Sequence, residues 1–69
     1  MKSDLHDVGV IFQTETPNAV CVWEHETSRK DIWIPKSVCQ FDGKRVPPQR
    51  GDEVILTAPE YVLLEKGLI

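Results

Sequence analysis

Two cysteines, four glycines, two tryptophans and a single methionine are all that this 69-residue chain holds of those types. Cys21 and Cys39 allow at most one internal disulfide, too few for the cross-linked scaffolds of small secreted domains. There is no Cys-x-x-Cys pair, and His6 and His25 form no His-x-x-x-His pair. The converging ligands of a structural zinc site are therefore not in view, and neither a metal nor a cofactor is expected. No apolar run approaches the roughly 20 residues of a membrane-spanning helix. The opening "MKSDLHDVGV" has one lysine, two aspartates and no apolar block, which is not the pattern of a secretory signal. Two reduced thiols in the cytoplasm are the expectation. Positive charge is short as well: eight Lys and Arg against eleven Asp and Glu give a net charge of −3. That balance disfavours general binding to phosphate backbones, which depends on counterions released by Lys and Arg. It leaves room for a local basic patch.

Length sets the next limit. A chain of 69 residues makes one small domain, residues 1–69, without a second core. Ordering costs about 1.5 kcal/mol per residue and nearly cancels what so small a core returns. A deep substrate cavity would remove packing the fold can hardly spare, so a binding module is expected rather than an enzyme. There are no internal repeats, low-complexity runs or linkers.

What is present is alternation. In "VGVIFQTE", residues 8–15, Val8, Val10 and Phe12 alternate with Gly9, Ile11 and Gln13, the period of a strand with one face mainly buried. Pro17-Asn18 follows as a turn dipeptide. In "AVCVWEH" Val20 and Val22 share one face, and Cys21, Trp23 and His25 the other. The polar "ETSRK", residues 26–30, makes a second turn. "DIWIP" is a third short strand, with Ile32 and Ile34 opposite Trp33. Pro35 lacks an amide donor and holds Ile34 extended, so this strand ends there, at an edge or a bulge. Asp42-Gly43 signals a tight turn, with "VCQF" and "KRV" as flanks of a short hairpin. Pro47-Pro48 forces an extended connection, Gly51-Asp52 a further turn, and "EVILTA" a last strand with Val54, Leu56 and Ala58 on one side.

The period then changes. Pro59 suits the first helical position, Glu60 the positive helix end, Lys66 the last turn and Gly67 the left-handed cap, with Leu68 packing back on Leu63. Two turns of helix do not persist alone in water, so this one is expected to dock through Tyr61, Leu64 and Leu68. The fold class is mainly β: a small antiparallel barrel or curled sheet, OB-like or Src-homology-like (SH3-like), with a short C-terminal helix.

Both indoles stand opposite the aliphatic rows. They either seal a second, shallower cluster or form an anchoring surface with Lys36 and Arg29 nearby, since indoles are favoured anchors at protein interfaces. Trp23, Trp33, Lys36 and Arg29 are therefore the candidate partner-binding residues. Pro35 fixes the directions of Trp33 and Lys36. Lys44, Arg45 and Arg50, with Lys36, are the one basic concentration, a solvated loop or the phosphate contacts of a nucleic-acid site. The acidic counterpart is Glu24, Glu26, Asp4 and Asp7, which pair with a partner or keep the domain soluble. Arg50-Gly51-Asp52 reads as a turn and not as an adhesion motif. Cys21 and Cys39 have no spacing that marks a nucleophile, and no catalytic residue is assigned.

"WIPKS" followed by "GDEVIL" and "PEYVLLEKGLI" resembles small uncharacterised proteins of bacteriophages and related mobile elements. Those carry a WIPKS-like stretch after one or two alternating strands and end in a PEWLAEEKGL-like helix. The match covers residues 19–37 and 51–69. Tyr61 stands where that pattern usually has tryptophan, and Val62 to Leu64 are more apolar than usual. The resemblance implies a bacterial host cytoplasm, with genome maintenance or antagonism of host defence as settings, and it carries over no catalytic residue. Two functions are expected from the whole reading. One is a non-catalytic phage-type protein that binds a bacterial protein, such as an inhibitor of a host defence system of the anti-CRISPR kind. The alternative is an OB-like single-stranded nucleic-acid-binding accessory of phage DNA metabolism. It would stack bases on Trp23 or Trp33 and meet phosphates with Lys36, Lys44, Arg45 and Arg50. Either a monomer or a homodimer paired through the edge at residues 31–35 fits.

Overall fold

Residues 5–15 build one strand long enough to pair with a different neighbour along each of its halves. The computed structural model describes residues 5–69; of the acidic residues named above, Asp4 lies outside them. The elements are β1 (Leu5–Glu15), β2 (Ala19–Trp23), β3 (Ile32–Pro35), a 3-10 turn (Lys36–Val38), β4 (Gln40–Gly43), β5 (Glu53–Pro59) and helix α1 (Glu60–Glu65). All ladders are antiparallel, in the order β3-β2-β1-β5-β4. The chain is thus a mainly β, curled sheet with one short C-terminal helix.

The N-terminal half of β1, Leu5 to Ile11, pairs with β5, and its C-terminal half, Ile11 to Glu15, pairs with β2. Between the halves the register slips from Phe12 to Thr14, leaving Gln13 as an extra residue. Such a bulge bends the strand and increases its twist. The β3-β2-β1 and β1-β5-β4 parts therefore fold over a shared interior. The connection from β3 to β4 requires it. Pro35 lies beside Ala19 and Gln40 beside Thr57, at opposite ends and on opposite edges, and only residues 36–39 join them. That stretch reaches at most about 18 Å, whereas the edge strands of a flat five-stranded sheet stand about 19 Å apart even when level.

Alternate residues fill the interior: Val10 and Phe12, Val20 and Val22, Ile32 and Ile34, and Val54, Leu56 and Ala58, all buried. Phe41 of β4 closes on Phe12 with ring centroids 5.9 Å apart. Each such aliphatic side chain contributes about 1.5–3 kcal/mol by leaving water. The tryptophans are not part of this cluster.

Three expectations are corrected. Asp42-Gly43 does not turn a hairpin onto residues 44–46: it ends β4, which pairs with β5 instead, Asp42 opposite Ile55 and Gly43 opposite Val54. Pro47 and Pro48 leave a strand through residues 44–46 without amide donors to continue its ladder, and Val46 is fully in solvent. Gly43 is required for another reason, because a Cβ there would stand 2.9 Å from Cγ1 of buried Val54. The helix docks on a different face from the one expected. Val62, Leu63 and Leu68 are buried, while Tyr61 and Leu64 are exposed. Pro59 sits one residue earlier than expected, as the N-cap, in extended conformation. The C-terminal end does follow the expected form. Gly67 adopts φ 76°, its amide donates to Leu64 O (3.1 Å), and the amide of Leu68 donates to Leu63 O (2.8 Å). These are the paired bonds of a Schellman cap, and they return Leu68 to the core beside Leu63.

Candidate functional site

Paired residues of adjacent strands project to the same side of a sheet. On β2 and β3 the pairs Val20–Ile34 and Val22–Ile32 face inward, which leaves Cys21 opposite Trp33 on the outer face. The same outer row continues through Ile11, the β1 partner of Trp23. Next in that β2–β3 register come Trp23 and Asp31, and the indole Nε1–H of Trp23 donates to Asp31 Oδ1 at 2.8 Å.

The two indoles differ in exposure. Cys21 is buried although it faces outward, and Trp23 is half-buried beside it, so a shallow second layer exists. Trp33, at the middle of an edge strand, keeps 42% of its surface in solvent. Its β2 neighbour lies on one side, and among the described residues no strand lies on the other. Burial pushes the Cys21 thiol pKa up, and the charge and hydrogen bond of Asp31 push it further. The backbone bond from Ile32 and the charge of Arg50 pull the other way. Burial likewise raises the thiol of Cys39, against a small opposing effect of Lys36, and its Sγ donates to Pro35 O at 3.4 Å. Both thiols are free and protonated at neutral pH, the unreactive form.

The cations are spread out. Lys36 does not join Trp33. Its ammonium pairs with Glu15, whose β2 partner is the inward-facing Val20. It therefore lies on the interior side of the edge that carries Trp33 on the outside. There it borders a groove of about 460 Å³ with Leu5, Val38, Cys39, Thr57 and Pro59. Arg45 is held within its own loop, Nε to Asp52 Oδ2 at 2.9 Å and a guanidinium nitrogen to Gln49 Oε1 at 3.3 Å. Lys44 is exposed beside Arg45, Asp52 and Glu53. Arg29 is exposed in the loop that leads into β3, with φ 56°. Arg50 borders a depression with Trp23 and Glu26. The turn around it is tight. Gly51 has φ 91°, the Asp52 amide donates to Gln49 O (2.9 Å), and Asp52 Oδ2 accepts from the Gln49 amide (2.9 Å). Arg50-Gly51-Asp52 is thus a structural turn, anchored to β1 by hydrogen bonds between Gly51, Asp52 and the backbone of Phe12.

Asp31 and Gln13 escaped the sequence reading. Asp31 had a signal, since it shares parity with Trp33 one step before the strand. Gln13 had none, because an inserted residue breaks the alternation on which the reading depends. Among the described residues no three His, Cys, Asp or Glu side chains gather as a metal site, and no helix is long and apolar enough to cross a membrane. Comparison of the chain with protein-family models, with curated proteins and with solved structures gives no match.

Proposed function

We propose that this chain is a non-catalytic interaction protein that captures a bacterial protein partner on the outer face of its β2–β3 hairpin. The observation that carries the proposal is Trp33, a 42% exposed indole at the centre of an edge strand. A large ring already fixed on a strand loses little freedom when covered, which is why indoles dominate interface energetics. The open edge of β3 offers backbone donors and acceptors to an extended segment of the partner. Trp23, pinned by Asp31, extends the apolar surface. Arg29 stands in the loop that leads into the edge strand, whereas Lys36, at its other end, is paired with Glu15 on the inner side. The raised thiols argue against nucleophilic chemistry. The resemblance of the "WIPKS" and "PEYVLLEKGLI" stretches to phage proteins sets the proposal in a bacterial cytoplasm, as an antagonist of a host defence system.

The nucleic-acid reading has less to rest on. Of its four cations only Lys44 and Arg45 border one depression, and Lys36 and Arg45 are paired with carboxylates. The deciding experiment is affinity capture from bacterial lysate with the parent chain, Trp33→Ala and Trp33→Phe, each first shown to be folded by circular dichroism. Trp33→Ala is expected to weaken the captured complex about 30-fold, a hot-spot loss of about 2 kcal/mol, with Trp33→Phe in between. Equal capture by all three removes the proposed face. Quenching of tryptophan fluorescence by an oligonucleotide at low salt, lost at high salt, would favour the alternative.

A further inference from the structure

Among the described residues the sheet has two open edges, β3 on one side and β4 on the other. The hydrogen-bond alternation tells which backbone groups face outward, because successive residues of an antiparallel strand bond to opposite neighbours. The amide of Lys36 donates to Asn18 O (2.8 Å), continuing the β2–β3 ladder beyond Ala19 and Pro35. Ile32 and Ile34 therefore bond to β2. Asp31, Trp33 and Pro35 point outward, where Pro35 has no donor to give. The amide of Phe12 donates to Asp52 O (2.8 Å), continuing the β1–β5 ladder beyond Ile11 and Glu53. Ile55 and Thr57 therefore turn to β4 and pair there with Asp42 and Gln40. Phe41 and Gly43 are left with N–H and C=O on the open side, and the carbonyl of the extended Cys39 (φ −147°, ψ 164°) continues that edge.

The two edges differ in how well a second copy of the chain fits them. A twofold axis through Trp33 would set Lys30 opposite Lys36 of the other copy, and the Asp31 carbonyl opposite the donorless Pro35. Lysine and proline are devices that keep an edge from pairing with its own kind. β4 has neither. With the axis through Phe41, Phe41 exchanges both of its backbone bonds with Phe41 of the second copy, and the Gly43 amide reaches the Cys39 carbonyl in each direction. The same register sets Gln40 opposite Asp42 on the outer face. Both are exposed, so the amide donates to the carboxylate. Moving the axis to Asp42 would oppose two carboxylates, which destabilises a cross-strand pair. Moving it to Gln40 would set Gly43 opposite Ser37, inside the 3-10 turn.

We infer that this chain self-associates through β4, antiparallel about Phe41, so that one five-stranded sheet continues into a second. Trp33 lies on the far edge and stays free in both copies. The inference is therefore independent of the proposed partner face, and it moves the homodimer contact from residues 31–35 to β4.

The test is the molar mass of the intact chain by sedimentation equilibrium from micromolar to millimolar concentration, with ¹H–¹⁵N spectra over the same range. A reversible dimer is expected, with concentration-dependent shifts at the amides of Phe41 and Gly43 and none at Asp31 and Trp33. Gln40→Glu keeps the side-chain length, removes the donor and opposes two carboxylates. It is expected to weaken the dimer about tenfold, because the twofold axis counts each altered pair twice. Gln40→Glu/Asp42→Asn restores an amide opposite a carboxylate and should recover most of the loss. Trp33→Ala should leave the dimer unchanged. A chain that stays monomeric at millimolar concentration, shifts confined to the β3 edge, a dimer indifferent to Gln40→Glu, or one lost in Trp33→Ala would each overturn the inference. The shifts of the parent chain decide the matter even if a variant fails to fold.

Discussion

Trp23 and Asp31 are joined across the base of the β2–β3 connection, indole N–H to carboxylate at 2.8 Å. The bond fixes the ring plane of Trp23 over the outer face and sets a negative charge near the Cys21 thiol, whose pKa it helps to raise. One carboxylate thus couples the indole and the thiol on that face.

Removing that carboxylate should separate its effects. Asp31→Ala is expected to cost about 1 kcal/mol from the lost bond to a charged acceptor on an exposed surface. It should also lower the Cys21 pKa, because both contributions of Asp31 act upward. A titration of the Cys21 Cβ carbon by NMR, in a Cys39→Ala background, reads the thiol. An unchanged or higher pKa would contradict the assigned role.

The two thiols together predict an alkaline weakness. Their folded pKa values lie above the ordinary value of 9.0, so between the unfolded and folded values the native state holds more protons than the unfolded one. Stability from this source is complete below about pH 9 and falls as pH rises through the folded pKa values. Urea unfolding from pH 7 to 10.5 should show the loss. In Cys21→Ala/Cys39→Ala the slope over that window should be shallower, whatever the double substitution costs at pH 7.

Lys36 serves the fold before it serves any partner. Lys36→Glu sets two carboxylates together at the Glu15 position and is expected to destabilise the domain. The charge-swapped Glu15→Lys/Lys36→Glu should recover most of the loss. A double-mutant cycle by urea denaturation is expected to return a coupling of about 0.5–1 kcal/mol, modest because both side chains remain partly solvated. Zero coupling would make the pair incidental.

The docking face of α1 can be checked with neighbouring leucines. Leu63→Ala leaves a cavity beside Leu68 and should cost about 2–5 kcal/mol, enough to unfold much of so small a domain. Leu64→Ala, on the exposed side, should stay within about 0.5 kcal/mol of the parent. Equal losses in thermal unfolding would show that the helix packs differently.

The strand faces were legible because alternation has a period of two, and the pairs Val20 with Val22 and Ile32 with Ile34 admit one inward side. The C-terminal cap of α1 was legible because Gly67 and Leu68 carry local chemistry. The helix face was not. Tyr61, Val62, Leu63 and Leu64 are all apolar or aromatic in a row, so a six-residue helix shows no stripe, and the docking rotation is chosen by the curved sheet beneath. The Asp42-Gly43 hairpin failed for a similar reason, since a turn signal two residues long was overruled by the longer ladder that β5 offers β4.

Register shows the same division at the site. A five-residue turn closed symmetrically over residues 26–30 would set Trp23 opposite Trp33, yet the observed pairing sets Trp33 opposite Cys21 and brings Trp23 to Asp31. A shift of two residues keeps every side chain on its face, so no hydrophobic pattern can detect it.

By itself the sequence determined which strand side chains point inward, where β3 must stop and how the helix must end, since each follows from the steric and hydrogen-bonding limits of a few adjacent residues. Only the tertiary structure decided that β1 bends at Gln13 to curl one sheet over its own interior, that Lys36 turns inward to Glu15 while Trp33 stays outside, and that Arg50 arrives beside Trp23. Those outcomes depend on how distant strands close over one interior, and the energy that selects them is shared among residues far apart in the chain.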